Sequence, residues 1–321
     1  MKKWIKTTLW AIGIPVLYLL VLRFMFGIEG WYLFKVMSLT FLFLLPIVSG
    51  VLTVYLSAIE RTKSIWYCVF APWLPIVVFL VITLMFSLEG WACWIMVFPL
   101  FLIGASIGGV MGRYIKRKKN DRTYISALVL LPLLVSPVEN MIGSLPATYK
   151  AYTYIDIKAP AEKIWSEVTR VKAIEPAQDK GWLTRFLGMP RPLEAVLNYE
   201  GVGATREARF TGGLVFHETV LEYARQQKMV FSIKANPHEI PSTTMDEHII
   251  IGGDFFDVLT GTYELEPLSP DTHRLHLYSF FKMNTTFNFY AGWWGRWIMK
   301  DIQNNILQVE KERAEERQAS F

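Results

Sequence analysis

Two hydrophobic periods divide the chain near residue 150. Before that point apolar residues run in blocks at about 9–28, 32–59, 65–88 and 92–115. Each block has roughly the 20 residues that a helix needs to cross about 30 Å of hydrocarbon. A fifth segment, 124–145, is strongly apolar to Val135 and then carries Pro137, Glu139, Asn140, Gly143 and Pro146. Beyond 150 the period shortens: Tyr152–Lys158 alternates as a strand does. The pattern predicts an α-helical transmembrane domain over 1–148 and a water-soluble domain over 149–321.

The blocks repeat at an offset of 60. Met25-Phe26-Gly27-Ile28-Glu29-Gly30-Trp31 answers Met85-Phe86-Ser87-Leu88-Glu89-Gly90-Trp91, and Pro15-Val16-Leu17 answers Pro75-Ile76-Val77. Gly50-Val51 and Tyr55 answer Gly109-Val110 and Tyr114 after a slip of one. The unit is a helical hairpin used twice in the same orientation. Its Glu-Gly-Trp corner is expected to be a solvated interfacial turn, with Trp at the lipid boundary and Glu in water. In the fourth block Gly104, Gly108 and Gly112 recur every four residues, a small-residue face that permits close helix approach. It suits packing within the bundle or, alternatively, a homo-oligomer contact.

Charge orients the helices. Residues 1–149 hold 13 Lys/Arg and 5 Asp/Glu, a net of +8; residues 150–321 hold 20 and 23, a net of −3, and the two sum to +5. Eleven of the cations, from Lys2 to Arg122, fall on one side of the hairpins, which places the N-terminus in the cytoplasm. The basic balance therefore reflects membrane topology, and no nucleic acid is implied. The N-terminal apolar run has no small-x-small cleavage pattern before Arg23 and reads as a retained helix. If 124–145 crosses, residues 149–321 lie outside the cytoplasm, the reading favoured by its length; a re-entrant segment would leave them inside. Glu139 is expected near the membrane boundary.

In the second half a helix opens at Ala159-Pro160-Ala161-Glu162, and a short helix or loop runs to about Gly188. Strands are predicted at 193–200, 203–211, 214–223, 228–235, 247–252, 258–268 and 272–283. A long amphipathic helix follows over 286–316. An antiparallel sheet curved round that helix leaves a gap that side chains fill or that a ligand occupies.

Three stretches carry a resemblance. These are Ile155-Asp156-Ile157-Lys158-Ala159-Pro160-Ala161-Glu162-Lys163-Ile164-Trp165, Gly201-Val202-Gly203-Ala204-x-Arg206 with Phe210-Thr211-Gly212-Gly213, and Gly261-x-Tyr263-x-Leu265-x-Pro267-Leu268. Over residues 151–315 the chain resembles the START-like (Bet v 1-like) polyketide cyclase/dehydrase and lipid-transport superfamily. The resemblance implies an α+β helix-grip fold and a hydrophobic cavity. It implies no particular activity, because that fold hosts carriers, receptors, cyclases and hydrolases.

Candidate cavity residues are Phe210, Phe231, Ile233, Tyr263, Leu277, Phe281, Tyr290, Trp294 and Trp297. Candidate acid–base groups are Glu218, with Arg206 or Arg209 as its partner, and Tyr263. His217 and Glu218 are adjacent in a strand, so only one of them can face inward. His238-Glu239 and Asp246-Glu247-His248 have ligand-type side chains but no second cluster at metal-binding spacing. The two cysteines, Cys68 and Cys93, lie in the apolar half. No phosphate-binding glycine loop or nucleophile elbow occurs. No cofactor and no metal are expected. The aromatic run Trp293-Trp294-Gly295-Arg296-Trp297 could pack in the core, line the cavity or meet a membrane. The expected function is binding or transport of a small, lipid-like hydrophobic ligand next to membrane lipids. The alternatives are a cyclase- or hydrolase-type enzyme using the same cavity, and a membrane sensor or scaffold.

Overall fold

The apolar blocks form helices and the alternating segments form one sheet. The computed structural model describes residues 2–28, 34–117, 121–236 and 250–316, with side chains left out at 2–6 and 121–122. It separates into two units, Met1–Leu145 and Pro146–Phe321. The division falls just before the expected 148/149 because Ala147, Thr148 and Tyr149 already pair with Met283, Lys282 and Phe281.

The first unit holds α1 (Lys2–Phe26), α2 (Leu45–Leu56), α3 (Ile65–Phe70), α4 (Trp73–Met85), α5 (Trp91–Ile115) and α6 (Asp121–Ile142). Four stretches are long and apolar enough to cross a membrane: Thr7–Phe26, Ile65–Met85, Trp91–Ile115 and Thr123–Ile142. The block at 32–59 departs from expectation, since it is helical only over Thr40–Leu56, its first turn a π-turn at Thr40–Leu44. Glu139 of α6 defines that start. Its carboxylate accepts hydrogen bonds from the Leu39 N–H (2.6 Å), the Thr40 N–H (2.9 Å) and the Thr40 hydroxyl (2.6 Å). A carboxylate at a helix N-terminus satisfies donors that have no partner inside the helix and complements the helix dipole. Glu139 is thus a cap supplied by another helix.

The second Glu-Gly-Trp corner also differs from a solvated turn. Glu89 forms an ion pair with Arg23, and both side chains are about nine-tenths buried. Arg23 Nη2 also donates to the Leu88 carbonyl at 2.7 Å. Pairing lowers the cost of holding charge in an apolar setting. The first corner, Glu29-Gly30-Trp31, lies outside the described residues.

The glycine face of α5 is covered by α2. A Cβ on Gly108 would lie 1.9 Å from the Ile47 carbonyl oxygen, and one on Gly112 2.8 Å from that of Val51. One on Gly50 would lie 2.1 Å from the Ala105 oxygen and 2.9 Å from the Gly109 nitrogen. Gly50 and Gly109 are the equivalent glycines of the two repeats, so the second helices of the two hairpins meet backbone to backbone. The Gly104/Gly108/Gly112 face is therefore packed from within the chain.

The second unit runs β1 (Ala147–Ile157), α7 (Ala161–Thr169), β2 (Arg170–Val171), α8 (Trp182–Phe186), β3 (Pro192–Leu197), β4 (Thr205–Phe210), β5 (Val215–Ala224), β6 (Lys228–Ala235), β7 (Phe256–Ser269), β8 (Thr272–Met283) and α9 (Asn288–Glu316). The eight strands form one antiparallel sheet in the order β1-β8-β7-β6-β5-β4-β3-β2. The strand expected at 247–252 is not formed over its described part, where Ile251 makes a single bridge to Phe256. The curled sheet packs on α9. Gln303 of α9 is buried between them; its Nε2 donates to Ser279 Oγ at 3.1 Å, and its Oε1 accepts from Thr153 Oγ1 at 3.2 Å.

Candidate functional site

A cavity lies between α9 and the concave face of β3–β8. Its volume is about 120 Å³, measured for the centre of a water-sized sphere. Apolar side chains make most of its wall, among them Ile174, Phe210, Phe216, Ile251, Met299 and Ile302. The position of the gap follows from glycine. A Cβ on Gly292 would lie 2.6 Å from the Tyr149 ring, and one on Gly295 2.8 Å from that of Phe281. The first turns of α9 therefore lie directly on the sheet and leave no space. The cavity opens one to two turns later, where Met299, Ile302, Gln303 and Ile306 face the strands.

This geometry sorts the candidates. Phe210, Phe231, Ile233, Tyr263 and Leu277 line the cavity. Phe281, Tyr290, Trp294 and Trp297 do not. Phe281 is fully buried, with its ring 5.7 Å from that of Tyr149, where α9 touches the sheet. Trp294 is packed in the same early turns of α9, and Trp297 is part-exposed beside Trp182. The helical stripe was visible in sequence, but the offset along it depends on glycines whose contacts are tertiary.

Arg206 and Glu218 form a buried ion pair in the cavity wall. The hairpin β4–β5 sets them directly opposite one another. They belong to one cross-strand row, Leu197, Arg206, Glu218 and Ile233. Arg206 Nε donates to Glu218 Oε2 and its Nη1 to the Val168 carbonyl at 3.2 Å. Its guanidinium carbon lies 4.5 Å from the centre of the Phe231 ring and 5.9 Å from that of Tyr263, within the range of cation–π attraction. Burial pushes the Glu218 carboxyl up, against the opposing pull of the Arg206 guanidinium. Arg209 is not the partner: its exposed guanidinium reaches Glu194 at 3.2 Å and Glu207 at 3.1 Å. His217 points outward, opposite to Glu218, as strand alternation requires.

Sequence reasoning missed Glu310. It is 1% exposed on α9, with its carboxylate turned toward the Tyr263 hydroxyl. Burial raises it to about 8; the nearby Tyr263 hydroxyl and the Arg206 guanidinium favour its charge, whereas Glu167 opposes it. Tyr263 is itself raised well above its ordinary value, chiefly by burial. A signal existed: Gln303 and Glu310 are polar residues seven apart, hence on one face of a helix that also buries Leu307. Among the described residues no three metal-ligating side chains cluster. His238, Glu239, Asp246, Glu247 and His248 lie outside those residues.

No family model and no curated protein matches the chain. Solved structures do. A norcoclaurine synthase point mutant from Thalictrum flavum, in complex with a transition-state analogue, is 12% identical with a TM-score of 0.35, covering 54% of this chain and 98% of that one. The Zhui aromatase/cyclase from Streptomyces sp. R1128 gives 13%, 0.35, 54% and 98%. A START superfamily protein from Mycobacterium smegmatis gives 13%, 0.34, 52% and 98%. These neighbours are Bet v 1-like and START superfamily proteins. The second unit has the helix-grip fold. That statement rests on the strand order and the position of α9.

Two predictions follow from the buried charges. Arg206→Met leaves Glu218 buried without its partner and should cost about 3–5 kcal/mol of stability, most of which the double variant Arg206→Met/Glu218→Leu restores; denaturant titration of the second unit's transition checks this. Glu310 keeps its proton to about pH 8 when folded but loses it in the ordinary carboxylate range when unfolded. Between those two values the folded state holds a proton that the unfolded state has released, so protonation favours the folded state, and stability falls as pH rises from the ordinary carboxylate range toward 8. Glu310→Gln should flatten that decline and raise the melting temperature above neutrality; parallel melting-temperature profiles for the two proteins would contradict it.

Proposed function

We propose that the chain is an integral membrane protein whose second unit holds a small, mainly apolar ligand between α9 and the sheet. The cavity carries this reading: its wall is mainly apolar, with polar groups from Glu194, Arg206, Arg209, Glu218, Tyr263, Ser279 and Gln303. Such a pocket removes the body of a ligand from water by the hydrophobic effect, and its few polar groups fix one polar end. A tether to the membrane half keeps the pocket close to a store of apolar molecules. The eleven cations on one side of the hairpins favour a cytoplasmic N-terminus. The continuous helix Thr123–Ile142 favours a second unit outside the cytoplasm.

A second reading has one observation in its favour. Arg206 and Glu218 meet in the cavity wall, so a bound substrate could meet a carboxylate of altered basicity. Holding a ligand and acting on it use the same cavity, and occupancy is the first thing to measure.

The full chain released from mild detergent into native mass spectrometry should carry an apolar adduct. Ala208→Phe, which fills the cavity from β4, should lose most of it while keeping the wild-type melting profile. Equal adduct on both proteins, or none on either, would remove the binding reading. A reporter fused after Phe321 should be active outside the cytoplasm; activity inside would reverse the compartment.

A further inference from the structure

The second unit exposes a band of aromatic side chains that its cavity does not use. Phe289, Trp293 and Trp297 on α9 follow one another at helical spacing on a single outward face, with Arg296 and Lys300 beside them. Trp182 and Phe186 on α8 extend the band. Exposure runs from 37% for Trp297 to 68% for Phe289. The rings are in contact: Trp293 and Trp297 have centroids 5.2 Å apart, and Trp182 meets Trp297 edge-on at 5.9 Å.

The two helices are fixed together, so the band keeps its shape. Asp301 Oδ2 accepts from the Thr184 N–H at 2.9 Å and from the Thr184 hydroxyl at 2.8 Å. Asn305 Oδ1 accepts from the Lys180 N–H at 2.6 Å and the Gly181 N–H at 3.1 Å. A contiguous exposed aromatic surface on a soluble fold marks a contact site.

We infer that this face of α8 and α9 lies on the lipid headgroup layer. Two observations select lipid over protein. The first is chemistry: tryptophan prefers the boundary between hydrocarbon and water, and the exposed cations Arg185, Arg296 and Lys300 around it suit anionic headgroups. The second is the tether. α6 ends at Ile142 and β1 begins at Ala147, five residue steps that span at most about 18 Å. If α6 crosses the bilayer, the second unit cannot leave its surface. α8 then runs on into Met189 and Pro190, which line the cavity, so a band seated on lipid puts one wall of the cavity beside the bilayer. The inference stands apart from the ligand reading, because an empty cavity would leave the band unchanged.

The test uses the full chain in vesicles of mixed phosphatidylcholine and phosphatidylglycerol, with Cys68→Ala and Cys93→Ala as background. Nitroxide labels are placed one at a time at Trp293→Cys, Phe289→Cys and, as a control at an exposed position near the end of β5, Glu222→Cys. Collisions with oxygen, which enters lipid, are compared with collisions with a water-soluble nickel complex. Labels at 289 and 293 should show an oxygen-to-nickel ratio several-fold above that at 222. Ratios at all three sites equal to the aqueous value would overturn the inference. So would exclusion of both reagents at 289 and 293, which would mean that protein covers the band. Two labelled sites keep the outcome readable if one variant fails to fold.

Discussion

In the second unit the pairing of Arg206 with Glu218 under α9 constrains everything near it. Two charges taken out of water cost several kcal/mol each unless they face one another with good geometry. The antiparallel register of β4 and β5 supplies that geometry by placing the residues directly opposite, and the Val168 carbonyl accepts another guanidinium N–H. Phe231 and Tyr263 cover the guanidinium from β6 and β7. Strand order, cavity wall and the approach of α9 must all keep this pair closed from solvent and still leave one side of it facing a space.

That space exists because close contact is localised. In both units glycine marks where elements touch backbone to backbone or backbone to ring: Gly50 and Gly108 between α2 and α5, Gly292 and Gly295 between α9 and the sheet. In the membrane half such contact substitutes for hydrophobic driving force, which lipid does not supply between helices. In the second unit it pins the start of α9, and the cavity lies beyond that contact, against Met299 and Ile302.

Much of this was legible in the residues. Strand alternation lets only one of His217 and Glu218 face inward and leaves Arg206 and Arg209 both open as partners of Glu218; the register, which sets Arg206 opposite Glu218 and Arg209 opposite Val215, decides it. The repeat at an offset of 60 points to equivalent helices, and the equivalent glycines Gly50 and Gly109 lie against one another. What escaped the sequence depended on distant partners. Glu139 looked like a boundary residue until Leu39 and Thr40 were found to end on it. Glu89 looked solvated until Arg23 was found to reach it. The tryptophans of α9 looked like a cavity lining, but two glycines shift the gap along the helix. Glu310 carries no local signature beyond being a polar residue on a buried face.

The claim on which the rest turns is that the space beside Arg206 and Glu218 is made to be filled. An experimental density map of the full chain in lipid nanodiscs, at a resolution that shows side chains, tests it most directly. The account predicts continuous non-protein density between α9 and strands β4 to β6, in contact with Met299 and Ile302 and ending near the Arg206–Glu218 pair. Side chains collapsed into that volume, or isolated water peaks alone, would contradict it.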